Sequence, residues 1–255
     1  MAQEQNSEQE ERQAPRPVGV FDQTFLTGVE GVTEILLVRH GQQEIDVHAA
    51  TVGDWIDPPL SEQGRLQARL LGEALSLKRI DAVFASKLRR AVETAGEIAR
   101  HHPDTIGAVE YLDDLREVEV FRDVPPDKTA LEFLGKELLE AVRERMLNER
   151  NWDVYPLSES SYDFKKRAVN AIETAIAKNA GEQPDGRPSG RIAIVCHGGV
   201  INAYLGHIIG SRYDMFFRPA HTSVSIVVSG EGRRILRLLN DTHHLTTAEG
   251  EFATY

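Results

Sequence analysis

Two stretches of the chain are apolar without alternation, Ile35-Leu36-Leu37-Val38 and Ile192-Ala193-Ile194-Val195-Cys196. Short unbroken runs of this kind predict strands covered on both faces, here over 34–39 and 191–196, as in a parallel sheet. The segments 80–85 and 108–112 predict two further, shorter strands. Between the strands the apolar spacing lengthens to a helical period. Ser61, after Pro58-Pro59, is a good N-cap for a helix whose Leu66, Leu70 and Ala74 form one stripe. Other helices are predicted over about 88–101, 128–149 and 161–179, and from Gly199 onward. Two alternating segments, 222–229 and 233–240, joined by Gly230-Glu231-Gly232, predict an antiparallel hairpin at a sheet edge. The alternation of strand and helix predicts an α/β fold: three layers, α/β/α, with a mostly parallel sheet and an antiparallel edge strand.

Outside this pattern, residues 1–17 are rich in Gln, Glu and Pro and read as a disordered tail. Residues 18–33 read as an extension, a loose hairpin laid over the domain, and 246–255 as a C-terminal tail. The run 181–190 (GEQPDGRPSG) reads as a surface loop. With 255 residues and 41% hydrophobic content, the chain can bury a sizeable core. No stretch approaches the roughly 18 consecutive apolar residues of a membrane span. The start, MAQEQNSEQEERQ, lacks the basic and apolar regions of a signal peptide, and the single cysteine, Cys196, suits a reducing compartment. A cytoplasmic protein is expected. The net charge of −11 argues against a general nucleic-acid binder. An anionic ligand would therefore need a local positive pocket.

Four segments supply candidates for such a pocket, each at a predicted C-terminal strand end: Arg39-His40-Gly41, Ser86 to Ala91, Leu115-Arg116-Glu117, and His197-Gly198-Gly199. A parallel sheet gathers such ends at one edge. A phosphoryl group needs several positive donors around its oxygens. Arg39 and Arg90 can supply guanidinium forks and His197 a further donor, while a helix starting beside them adds backbone N–H groups. His40 could attack phosphorus through one ring nitrogen while a backbone carbonyl holds the other. Glu117 could protonate the leaving alkoxide and then activate water, with Glu119 as its rival. Arg89, beside Arg90, is equally basic. His101-His102, His207 and His243-His244 read as structural, with His207 packed on its helix, and Cys196 as a small buried hydrophobe.

In this order the motifs resemble the histidine phosphatase superfamily, also called phosphoglycerate mutase-like. Arg39-His40-Gly41 matches its hallmark, and Leu60 to Ala68 is similar to "L-S/T-x-x-G-x-x-Q-A". Ser86 to Ala95, Leu115-Arg116-Glu117, Glu159-Ser160, His197-Gly198-Gly199, Ser223-Val224-Ser225 and 240–245 are similar to its later elements. The resemblance spans about 34–245, which it implies is one domain with a lid insert at about 120–165. It implies that His40 is phosphorylated, that Arg39, Arg90 and His197 form the phosphate pocket, and that Glu117 is the proton donor. Because the family arginine directly precedes the alanine, Arg90 carries over and Arg89 does not. Gln43, Asp46 and Gly198 are expected to touch substrate. Gln43 and Asp46 depart from the Thr or Ser and the Asn common there, and His221 stands where asparagine is common.

The expected activity is metal-independent hydrolysis of a phosphomonoester through phosphohistidine, with no cofactor. The expected partner is a small phosphorylated molecule, with neither nucleic acid nor membrane; a homo-oligomer is allowed. One alternative is phosphoglycerate mutase-type transfer, disfavoured because Val118-Glu119-Val120-Phe121 replaces that branch's basic run after the glutamate. Another is a pseudoenzyme that binds a phospho-ligand, which would need a broken constellation. The last is a metallohydrolase using His40, His197, Asp46 and His221, disfavoured by two neighbouring arginines.

Overall fold

The computed structural model describes residues 18–45, 50–180, 189–248 and 250–255. A short helix, α1 (Val20–Thr24), precedes strand β1 (Thr33–Arg39). Then come α2 (Val52–Ile56), α3 (Glu62–Ser76), β2 (Ala82–Ala85), α4 (Arg89–Arg100) and β3 (Glu110–Tyr111). Helices α5 (Ala130–Leu134), α6 (Lys136–Glu149) and α7 (Ser161–Lys178) follow without an intervening strand. Strand β4 (Gly190–Cys196), helix α8 (Gly198–Ile209) and strands β5 (Val224–Gly230) and β6 (Arg233–Asp241) complete the main sheet.

The sheet order is β3-β2-β4-β1-β5-β6. Strands β1, β2, β3 and β4 are mutually parallel; β5 is antiparallel to both of its neighbours, β1 and β6. The antiparallel strand thus lies one place in from the edge, and β6 forms the edge itself. Ile35, Leu37, Ile192 and Ile194 face Phe164, Ile172, Val200 and Tyr204 of α7 and α8 on one side. Leu36, Val38, Ala193 and Val195 face Leu71, Leu75, Ala95 and Ile98 of α3 and α4 on the other. Both faces are dry, which explains why β1 and β4 are apolar at successive positions. No helix among the described residues is long and apolar enough to cross a membrane.

Several expectations need correction. The predicted hairpin at 18–33 is instead helix α1, whose Asp22 carboxylate accepts from the Gly19 N–H, followed by a turn that buries Leu26. The predicted helix over 128–149 is two, split at Gly135, with Thr129 capping the first by accepting from Glu132 N. On α3 the buried face is Gly64, Gln67, Ala68, Leu71, Gly72 and Leu75 rather than Leu66, Leu70 and Ala74, which flank it half-buried. The small residues win that face because the backbone comes close: a Cβ on Gly72 would stand 2.7 Å from Glu97 O of α4. Ser61 does cap the helix, accepting from Gly64 N. His207 is exposed, whereas His102 is buried and its ring nitrogens face Ile98 O and Lys78 O. The segment 246–255 is bound to the body: Gln63 and Gln67 both donate to Phe252 O. Residues 1–17 and most of 181–190, expected as a disordered tail and a loop, lie outside the described residues.

Candidate active site

Strand β1 ends at Arg39, and β4, its parallel neighbour, ends at Cys196 in register with it. His40 and His197 therefore leave adjacent strands side by side, and their ring centroids are 5.0 Å apart. The His40 N–H donates to Cys196 O at 3.0 Å. Its ring Nδ1 lies 2.7 Å from Gly41 O. A carbonyl only accepts, so the ring proton sits on Nδ1 and the lone pair on Nε2. Burial, then the neighbouring His197, Arg90 and Arg39, hold the His40 pKa well below 6.5, so the ring is neutral.

Arg90, in the first turn of α4, donates through Nε to His40 Nε2 at 3.3 Å and through Nη1 to Ile56 O at 3.3 Å. It is buried, whereas Arg89 points into solvent. Arg39 is held by Pro219 O through Nη1, while its Nε is buried without a partner among the described residues. Burial pulls its pKa down to about 10, despite the opposing pull of Glu117. His197 is fully buried; Nε2 lies 2.9 Å from Ser86 Oγ, and Nδ1 has no partner among the described residues. Burial, Arg90 and Arg39 also keep this ring neutral near pH 7. Two buried nitrogens without partners, beside a pair of guanidiniums, form a cradle for an anion.

Glu117 lies opposite, with Oε2 accepting from Gly199 N at 3.0 Å and Oε1 from Val118 N at 3.0 Å. A carboxylate suits this position at the N-terminus of α8. Glu119 is exposed and paired with Arg116. The loop bearing Glu117 is clamped by Arg167 of α7, whose guanidinium donates to Asp114 O, Arg116 O and Glu117 O. A bidentate pair with the buried Glu159 completes its set of five N–H donors.

Three glycines around the site are required by close packing. A Cβ on Gly41 would stand 2.6 Å from Gly64 O, and one on Gly64 2.0 Å from Gln42 O. The two glycines let the β1 exit cross the start of α3. A Cβ on Gly199 would stand 2.2 Å from Glu117 Oε1, so that glycine makes room for the carboxylate. Gly198 is merely half-buried, with its carbonyl taken by Asn202. Gln43 pairs with Leu60 in an isolated bridge. Among the described residues no hydrogen bond joins it to His40 or the arginines. Asp46 lies outside the described residues. Cys196 is buried, which raises its thiol pKa, as expected of a core residue.

Sequence reasoning missed the Arg167–Glu159 clamp. Glu159-Ser160 was a visible motif, but its partner eight residues on carried no signal of its own. His221 stood out as a departure from the common asparagine and as a candidate ligand of the disfavoured metallohydrolase reading; its ring lies 5.9 Å from that of His40.

The family profile described as "Histidine phosphatase superfamily (branch 1)" matches residues 35–242. A probable phosphatase of Schizosaccharomyces pombe is 26% identical over 227 residues, 85% of this chain and 97% of that protein. A metal-independent phosphoserine phosphatase of Arabidopsis thaliana is 29% identical over 220 residues, 85% of this chain and 84% of that protein. Among solved structures, a phosphoglycerate mutase from Bacillus anthracis superposes with a TM-score of 0.66 at 22% identity, covering 84% of this chain and 96% of that one. That structural likeness speaks to the fold.

Proposed function

The chain belongs to the histidine phosphatase superfamily, branch 1, and we propose that within it this protein is a metal-independent phosphomonoesterase working through phosphohistidine on His40. The observation that carries this reading is the His40 ring: neutral, its Nδ1 proton held by Gly41 O, and its Nε2 lone pair accepting from the Arg90 guanidinium. A substrate phosphoryl group enters the cradle of Arg39, Arg90 and His197, and Arg90 exchanges its contact with Nε2 for one with a phosphoryl oxygen. His40 Nε2 then bonds to phosphorus as the ester P–O bond breaks, and the proton that a monoanionic phosphoryl group brings into the site passes through Glu117 to the departing alkoxide. The arginines neutralise the charge on the equatorial oxygens. Water next attacks the phosphohistidine, Glu117 takes back a proton, the N–P bond breaks, and inorganic phosphate leaves. The segment 120–165 serves as the lid that selects the leaving group.

The two guanidiniums beside His40 and His197 would repel a metal dication, which supports a metal-free reaction. Hydrolysis is favoured over mutase transfer because Val118-Glu119-Val120-Phe121 follows Glu117 where the mutase branch carries a basic run. The test is phosphate release from a phosphomonoester panel by chelator-treated protein, with 3-phosphoglycerate isomerisation measured alongside. We expect release without metal and no isomerisation. Activity lost on chelation, or isomerisation exceeding hydrolysis, would overturn the proposal.

A further inference from the structure

We infer that His221 is a further phosphoryl-binding residue, a neutral Nε2–H donor whose tautomer is set by Thr254 of the C-terminal segment. The inference rests on the phosphatase reading of the same site. His221 is 5% exposed, and its ring lies 5.9 Å from that of His40. The backbone holds it there: Thr222 donates from its N–H to His40 O at 3.3 Å. Thr222 does so at φ 56, a left-handed conformation that a β-branched residue seldom adopts. Such strain persists only where the surroundings over-determine it.

His221 Nδ1 lies 2.9 Å from Thr254 Oγ1. That hydroxyl already accepts from Gln67 Nε2 at 2.8 Å. Gln67 cannot turn over, because its Oε1 accepts from Gln42 N at 2.9 Å and its Nε2 also donates to Phe252 O. The hydroxyl has one proton, and among the described residues Nδ1 is the one acceptor within its hydrogen-bond reach. Donation into Nδ1 leaves the imidazole proton on Nε2, which has no partner among the described residues. A second proton is disfavoured by burial and by Arg39 and Arg218, which bring the pKa down to about 3. The ring is therefore a donor without a charge. The register of Thr254 is fixed by His221 N donating to Thr254 O at 2.8 Å and by Arg218 donating to Tyr255 O at 2.9 Å.

The test combines the ring 15N spectrum of the full chain with inorganic phosphate binding and kcat/KM for p-nitrophenyl phosphate. His221 should show the Nε2–H tautomer in the wild type and in Thr254→Ser, and a mixture in Thr254→Val. Loss of one donor in His221→Ala or Thr254→Val should weaken phosphate binding and kcat/KM by about 10-fold or more. His221→Gln, whose amide nitrogen reaches the position of Nε2, and Thr254→Ser should recover both to within about threefold. An Nδ1–H tautomer in the wild type, or unchanged phosphate affinity in His221→Ala, would overturn the inference. Failure of the phosphatase reading looks different: no turnover by the wild type, with the tautomer and phosphate affinity still measurable.

Discussion

The two halves of the site are built differently. His40, Arg39, Arg90 and His197 stand at the ends of β1 and β4 and in the first turn of α4, all buried or nearly so, with backbone bonds fixing each. Glu117 stands on a loop outside the sheet, half-buried, and depends on the Arg167–Glu159 pair for its place. The region beyond it is more open. Leu131, Phe133, Leu138 and Leu147 are exposed there, and a cavity of about 390 Å3 opens between Phe121, Val142, Met146 and Tyr155. On the proposed mechanism, phosphoryl chemistry falls to the buried half and leaving-group chemistry to the more open half. One fold can then keep its reaction while its substrate changes.

If the halves are separable, damage to each should have a different signature. Removing a cradle guanidinium by Arg90→Ala or Arg39→Ala should lower kcat/KM by about 10³-fold for every phosphomonoester, as expected for a preorganised charge donor. A loss that varied strongly with the leaving group would blur the division. Glu117→Gln should lower kcat by about 10²- to 10³-fold for alkyl phosphates, within the usual range for a general acid. For p-nitrophenyl phosphate, whose leaving group needs little protonation, formation of the phosphoenzyme should be nearly unaffected, which a single-turnover burst would reveal. An equal burst defect for both substrates would place Glu117 in the phosphate cradle instead. Arg167→Lys, which keeps the charge but cannot span Glu159 and three carbonyls, should copy Glu117→Gln at about a tenth of the effect. Uniform loss across leaving groups would mean that the clamp holds more than the Glu117 loop.

Acid should find the buried half first. His40 and His197 have pKa values held well below 6.5, and His221 is at about 3. Between the folded and unfolded pKa values the unfolded chain binds the extra proton, so stability falls as pH drops below about 6.5. At pH 5 His221 alone costs on the order of 2 kcal/mol relative to pH 7. Thermal scans from pH 7.5 to 5 should show the decline, and His221→Gln should flatten it. An unchanged slope in that variant would mean that the His221 ring is not held neutral.

The same contrast explains what was legible in the sequence. Unbroken apolar runs declare β1 and β4 because both faces of those strands are buried, and the residues that follow must then share the carboxyl edge of the sheet. His40 and His197 were legible for that reason, and Arg90 through its place directly before Ala91 in the motif. The contacts that finish the site join distant segments through residues that look ordinary alone. Gln67 is visible as the glutamine of the Leu60–Ala68 motif, but not its partners: it is buried and ties Gln42 to Phe252 and Thr254. Gly41 and Gly64 read as loop and helix glycines, although each is required by the backbone of the other's segment. Periodicity misplaced the buried face of α3 because close helix packing favours Gly and Ala, which weigh little on any hydrophobic scale. Gln43 was legible as a departure, but its backbone bridge to Leu60 is a pairing that sequence spacing does not reveal.

The central claim is that His40 carries the phosphoryl group. Rapid quenching of the wild type with 32P-labelled p-nitrophenyl phosphate, followed by peptide mapping, tests it directly. The account predicts acid-labile, alkali-stable label on His40, and neither label nor turnover in His40→Ala. Turnover in that variant, or acid-stable label on another residue, would contradict it.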